Sequence, residues 1–258
     1  MVTELKYKCQ VVSFGRHIDN TYIYNVLDHN NCMIPLARVD KVKDLGVWFD
    51  EQLSFKEHMH DKINKAYSML GIIKRNFKYL TIPTFILLYK NMVRSYLDYC
   101  SSVWSPYSKC DIEDLEKVQK RATRLLPELK GRNYIDRLKV CKLPTLHYRR
   151  IRGDMIETYK IVSGKYDNLA APMLPSPHSY VTRGHDLRLQ KNRARYDLRI
   201  NFFTNRVVNI WNPLPDYVVH ADTVNCFKSR LDTFWSNQDL VYNFKAEISG
   251  TGSRSEVV

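Results

Sequence analysis

A chain of 258 residues with 44% apolar and 12% aromatic side chains is too rich in core formers to stay unfolded, and is long enough for one large domain or two small ones. It contains no run of 18 apolar residues, which excludes an ordinary membrane span, and its N-terminus lacks the apolar stretch of a secretory signal. The net charge of +13 is concentrated: residues 1–60 carry 7 basic and 8 acidic side chains, 61–110 carry 8 and 2, 111–165 carry 14 and 8, and 166–258 carry 11 and 9.

A positive field gathered over about a hundred central residues attracts polyanions and releases their counterions on binding. Nucleic acid is the natural partner, although an acidic protein surface or an anionic membrane would be drawn by the same field. The six cysteines, Cys9, Cys32, Cys100, Cys110, Cys141 and Cys226, include no CxxC pair. That spacing argues against a zinc site or a secreted disulfide framework, and for free thiols in an intracellular protein.

In chain order, the first fifty residues read as strands. Cys9–Phe14 is β-prone and closes on Gly15, Asp19-Asn20 and Asn30-Asn31 supply turns, Thr21–Tyr24 is extended, and Val39–Asp50 reads as a strand or hairpin bent at Gly46. From Ser54 the period changes. Ser54 and Glu57 fit a capping box, and Phe55, Met59, Ile63, Ala66, Tyr67, Leu70, Ile73 and Phe77 recur at spacings of three and four. A second helix is expected from about Pro83 through Leu87, Leu88, Val93 and Leu97 to Trp104. A third opens near Asp111, buries Ile112, Leu115, Val118, Ala122 and Leu125, and stops at Pro127.

Two more helices follow, Tyr134–Val140 and His147–Val162, the latter ending at Gly164. Pro172, Pro175 and Pro177 mark a linker; Arg193–Trp211 is ambiguous; Asp222–Trp235 is an amphipathic helix; and the Ser- and Gly-rich end from Ile248 is expected to be disordered. The corresponding organisation is 1–53, a small β portion; 54–164, a basic helical domain; 165–186, a linker; 187–240, a helical C-terminal module; and 241–258, a tail. The fold class is mainly α with a small N-terminal antiparallel β portion.

Several segments carry a family resemblance. Lys8-Cys9-Gln-Val-Val-Ser-Phe14 resembles the motif after the catalytic hairpin of non-LTR retrotransposon reverse transcriptases, with Lys6 as an alternative match for its lysine. Lys43-Asp-Leu-Gly-Val-Trp-Phe-Asp50, followed by Leu53-Ser-Phe55 and His58, is similar to their primer-grip hairpin and its exit into the thumb. Leu143–Met155 and Asn205–Pro215 resemble the C-terminal blocks of jockey- and chicken-repeat-type elements. The resemblance runs from about residue 6 to residue 240. It implies a truncated polymerase palm with Leu45, Gly46 and Val47 at the primer grip, then a helical thumb and a helical C-terminal module.

The same resemblance implies an inactive chain. The family's polymerase site holds two divalent metals on aspartates, a pair of them adjacent in a Phe/Tyr-Ala-Asp-Asp turn, because two hard cations must sit close together. This sequence has no Asp-Asp dipeptide, and Tyr96-Leu-Asp-Tyr99 lacks the second aspartate and lies within a helical period. No catalytic residue, metal ligand or cofactor is therefore expected, although the intact family enzyme needs divalent metal. His58 and His60 are two apart on a helix and point to different sides, and His17, His147, His178, His185 and His220 form no ligand pattern.

The binding residues expected are Lys62, Lys65, Lys74, Arg75, Lys117, Lys120, Arg121 and Arg124, contacting the sugar–phosphate backbone of RNA, DNA or an RNA–DNA hybrid without reading sequence. No membrane partner is expected, and the oligomeric state is left open. Two alternatives stand beside this reading: a helical protein-interaction module, and a relic of a decayed mobile element.

Overall fold

The computed structural model describes residues 9–15, 18–19, 21–27, 31–167, 169, 171–175 and 184–249. The architecture is mainly α with a few short strands. Lys6, Lys8, His17, Asn20, Asn30, Pro177, His178 and the end of the expected tail lie outside the described residues. By its internal contacts the chain divides into two units, Met1–Lys62 and Ile63–Val258.

The first unit carries all six strands found among the described residues: β1 (Gln10–Val11), β2 (Asn25–Leu27), β3 (Met33–Pro35), β4 (Ala37–Arg38), β5 (Lys41–Asp44) and β6 (Val47–Asp50). The β2–β3 and β5–β6 pairs are antiparallel, whereas β1 pairs with β4 in parallel, Gln10 opposite Ala37. The expectation of a purely antiparallel portion is corrected on that point. The intervening β2–β3 hairpin returns the chain so that β4 runs in the direction of β1. The expected strand at Thr21–Tyr24 forms later, at Asn25–Leu27, after an Asx-type turn in which Asp19 accepts from both the amide and the hydroxyl of Thr21.

β5 and β6 are joined by a two-residue turn at Leu45 and Gly46 with φ of 43° and 83°. Positive φ at both positions is the turn geometry whose twist matches a hairpin, and glycine suits it. Val47 is buried, while Lys43 sits opposite Trp48 with its ammonium 5.4 Å from the ring centroid.

α1 (Lys56–Asn76) begins at the predicted place by a different device. Asp50 takes the Ser54 amide at 2.7 Å and hydroxyl at 2.6 Å, leaving the Ser54 oxygen 3.5 Å from the Lys56 amide. Glu57 is drawn to Lys41 at 2.7 Å, so the reciprocal capping box does not form. Met59, Ala66, Leu70 and Ile73 are buried as the period demands, but Phe77 lies past the helix end and is 40% exposed.

In the second unit the expected single helix from Pro83 to Trp104 is broken. It comprises α2 (Ile82–Leu88), a π-helical segment Tyr89–Arg94, α3 (Ser95–Asp98) and α4 (Ser101–Trp104). Phe85, Tyr89, Val93 and Leu97, all fully buried, are spaced by four. Four residues overshoot a regular helical turn by about 40°, and the wider π-helical turn absorbs that drift. At the break, Cys100 takes φ 51° and the Tyr99 carbonyl, released from the helix, accepts Trp104 Nε1–H at 2.7 Å.

α5 (Lys109–Thr123), α6 (Tyr134–Cys141) and α7 (Leu146–Val162) follow, with Asn133 capping α6 and Thr145 capping α7 through their side-chain oxygens. The ambiguous stretch after residue 193 resolves into α8 (Asp197–Ile200), α9 (Phe203–Arg206) and α10 (Val208–Trp211), and is followed by α11 (Asp216–Val219) and α12 (Val224–Phe234). Tyr148, Met155 and Tyr159 of α7 share one core with Val207, Trp211, Phe227, Leu231 and Trp235. Within it Tyr159 stacks on Phe227 at 4.4 Å. The C-terminal segment returns to α7, where Thr145 donates its amide to Val241 O and its hydroxyl to Leu240 O. All six cysteines are thiols. No helix among the described residues is long and apolar enough to cross a membrane.

Candidate nucleic-acid interface

A cleft of about 560 Å³ opens between the end of α5, the connection Pro127–Asn133 and the first turns of α6. Leu129 is buried and pins the connection, which turns tightly through Leu129 N–H to Leu126 O and Arg132 N–H to Leu129 O. Gly131, at φ 85°, then reverses the backbone in a conformation that side chains other than glycine resist. Exposed Lys130 and Arg132 flank it.

Lys120 and Arg124 reach the cleft from α5, and Arg137 from α6. Five cationic residues thus line the cleft and none of the lining residues is acidic, although Lys120 lies 3.6 Å from Glu113 outside the lining. Asp136, in the first turn of α6, is instead held by Asn133 Nδ2 at 2.7 Å while its own amide donates to Asn133 Oδ1. Arg137 is 6% exposed, yet its Nε lacks a hydrogen-bond partner among the described residues. Burial first, and the positive charge of Arg124 second, lower its pKa from the ordinary arginine value. An anion in the cleft would offset both effects by favouring the charged guanidinium.

Tyr134 forms the aromatic wall. Lys120 lies 5.6 Å and Arg137 5.7 Å from its ring centroid, and Lys120 also sits 4.4 Å from that of Phe244. The Tyr134 hydroxyl donates inward to Glu116 Oε1, the other oxygen of which accepts the Leu146 amide at 3.0 Å. Gln119 extends the network, accepting from the Tyr89 hydroxyl at 2.7 Å and donating to Pro144 O at 3.0 Å. Burial raises the Glu116 carboxyl above the ordinary carboxylate range, and burial followed by the Glu116 charge raises the Tyr134 phenol. The wall of the cleft is therefore fixed by a buried network.

Behind that network lie further buried charges. Arg206 grips Asp154 through Nε at 2.9 Å and Nη2 at 3.0 Å. Arg150 is 2% exposed, its three nitrogens making no hydrogen bond among the described residues. Burial lowers its pKa against the opposing charges of Glu116, Asp98 and Asp154.

The eight basic residues expected at the interface are dispersed. Lys120 and Arg124 are in the cleft. Arg121 is exposed, its guanidinium 5.1 Å from the Tyr67 ring centroid, and Lys117 pairs with Asp114 at 2.7 Å. Lys74 and Arg75 are exposed in the last turn of α1, where positive charge suits the helix dipole. Lys65 is half-buried. Lys62 is 7% exposed, and its ammonium donates to Gly46 O at 3.2 Å. Instead of facing solvent, Lys62 fastens the hairpin turn of the first unit.

Lys130, Arg132 and Arg137 escaped the sequence reading: Lys130 and Arg132 lie in a turn outside any helical stripe, and Arg137 is a buried residue of the short helix α6. The available signal was the Lys-Gly-Arg run just before the Asn133 cap.

The primer-grip-like Leu45, Gly46 and Val47 form the hairpin turn and the start of β6, with Leu45 83% exposed and Val47 buried. Asp98, the aspartate of Tyr96-Leu-Asp-Tyr99, accepts from Arg149 at 2.7 Å and lies 3.4 Å from Arg94, an ion-paired helix residue. His58 is buried and accepts the Trp48 amide on Nδ1 at 3.2 Å, whereas His60 is exposed. Among the described residues, Asp186, Asp216 and His220 place possible ligand atoms within 4.8 Å of one another, all exposed, with His220 already 2.8 Å from Asp186.

No protein-family model matches the chain, and no solved structure matches it. It is similar to a Caenorhabditis elegans protein described as uncharacterized, at 28% identity over 130 residues, 49% of this chain and 66% of the relative. The chain thus spans about two-thirds of that relative's length.

Proposed function

We propose that the chain is a C-terminal portion of a non-LTR retrotransposon reverse transcriptase, lacking the catalytic aspartates. Its activity is sequence-independent binding of RNA, DNA or RNA–DNA hybrid through phosphate contacts. The observation that carries the binding reading is the cleft with five cations and no acidic lining residue. Lys120 has a carboxylate partner in Glu113 at 3.6 Å, and the cluster as a whole keeps a positive excess that gains from a polyanion that displaces its counterions. The family assignment draws on the ordered sequence blocks between residues 6 and 240, and the inactive reading on the absence of an Asp-Asp dipeptide.

The test is binding of the purified chain to a labelled RNA–DNA hybrid and to duplex DNA across a salt series. Affinity should fall steeply with salt, with a log–log slope of about −0.9 per phosphate contacted on duplex DNA. Salt-independent binding, or none by a folded sample, would sink the reading.

A second reading, a protein-interaction module, takes support from the first unit. Tyr22, Ile23, Tyr24, Leu27 and Met33 are large apolar side chains exposed on and beside the β2–β3 hairpin. Such a patch fits a partner surface or the remainder of a sheet.

A further inference from the structure

We propose that the cleft between α5 and α6 receives the phosphorylated end of a nucleic-acid strand, a terminal phosphomonoester, rather than the internal backbone. The inference rests on the nucleic-acid-binding reading above and narrows it to one chemical group.

Charge is the first ground. An internal phosphodiester carries one negative charge on two free oxygens. A terminal phosphomonoester carries about −1.5 to −2 on three strong acceptor oxygens. Five cations line the cleft and, among the described residues, only Lys120 is ion-paired, with Glu113 at 3.6 Å, so the net positive charge that remains is better matched to the more highly charged group. Arg137 adds a specific demand, because its side chain is 94% buried while its Nε lacks an acceptor among the described residues. A phosphate oxygen is the acceptor that guanidinium geometry suits best.

Shape is the second ground. The strand continues on both sides of an internal phosphate, which calls for an open-ended groove along an element. Here the basic side chains instead crowd around one short connection and one helix start, lining an open cleft of about 560 Å³. Asn133 and Tyr134, at the start of α6, lie on the wall; Asn133 caps the Asp136 amide, and the helix dipole adds to the positive field there although the Asp136 carboxylate in the same turn offsets part of it.

The aromatic wall is the third ground. A site that reads or stacks bases needs an open ring face. Lys120 and Arg137 lie within 6 Å of the Tyr134 ring centroid, and its hydroxyl is committed to Glu116. Tyr134 therefore serves as a support for cations, which leaves phosphate as the group recognised.

The test compares one single-stranded oligonucleotide in three forms, 5′-phosphorylated, 3′-phosphorylated and with hydroxyls at both ends, by fluorescence anisotropy on the full chain at fixed salt. Inorganic phosphate serves as the free-ion competitor. At least one phosphorylated form should bind five-fold or more tighter than the hydroxyl form. That preference should disappear in Arg132→Ala and Lys130→Ala, exposed positions that do not hold the core, and inorganic phosphate should erode it. Equal affinity of all three forms overturns end recognition and leaves backbone binding standing. Absence of binding by any form from a folded protein overturns both readings. A preference unchanged in both cleft variants also overturns the assignment, because it places the end elsewhere.

Discussion

Two sets of basic side chains differ in what the fold does with them. Along α1, Lys62, Lys65, Lys74 and Arg75 occupy a helix whose cations look unpartnered when charges are counted in sequence. The fold disperses them: Lys62 is buried on Gly46 O, and Lys74 and Arg75 end the helix in solvent. Around the α5–α6 connection, cations from a helix end, a turn and a second helix are gathered, and one, Arg137, is buried among them. Repelling charges are held together only where something else fixes the backbone, and the network of Glu116, Gln119, Tyr134 and Tyr89 does that here. A cationic site is thus recognised by convergence on a rigid support.

The largest expected effect lies in the support. Asp154→Ala leaves Arg206 without its buried counter-charge and removes one of the three that oppose Arg150, and stability should fall by about 3–5 kcal/mol, measured by denaturant unfolding. A change below 1 kcal/mol would mean that the buried ions are not coupled to the fold.

Next comes the cleft. The double variant Lys130→Ala/Arg132→Ala should weaken binding to a nucleic-acid duplex roughly ten-fold or more at low salt, with the unfolding midpoint unchanged. Lys74→Ala/Arg75→Ala should weaken it less than about two-fold, as expected for screened surface charges. Equal losses from the two pairs would erase the distinction between them.

A smaller effect concerns pH. Burial raises the Glu116 pKa, so as pH rises from about 4 the unfolded chain gives up this proton while the folded protein still holds it. The group therefore subtracts stability progressively until pH passes its folded pKa. Glu116→Gln removes that penalty but also loses an acceptor, for the Leu146 amide or the Tyr134 hydroxyl. Its destabilisation should be greater at about pH 4.5 than at pH 7. Unfolding curves at the two pH values check this, and the reverse order would contradict a buried carboxyl.

Much of the helical framework was legible in the sequence because its apolar period is long. α1, α5, α6, α7 and α12 all form near where spacing and capping residues place them. The π-helical segment was legible in principle, since Phe85, Tyr89, Val93 and Leu97 repeat by four rather than by three and four. The parallel pairing of β1 with β4 was not, because strands of two residues carry no usable period. The site was half legible. Lys120 and Arg124 lie on a helical stripe, but Lys130 and Arg132 reach the cleft through a turn geometry that linear spacing does not encode, and Arg137 is brought there by the packing of α6. Lys62 shows the opposite error, in which a lysine on an apparently polar face is captured by a carbonyl of the preceding hairpin.

The most direct test of the account is the salt slope of duplex DNA binding for the parent chain, the cleft double variant and the α1 double variant. Removing two phosphate contacts at the cleft should flatten the log–log slope by about 1.8, whereas the α1 variant should keep the parent slope. A slope unchanged by the cleft variant, or flattened equally by both, would contradict the claim that the gathered cations between α5 and α6 hold the phosphates.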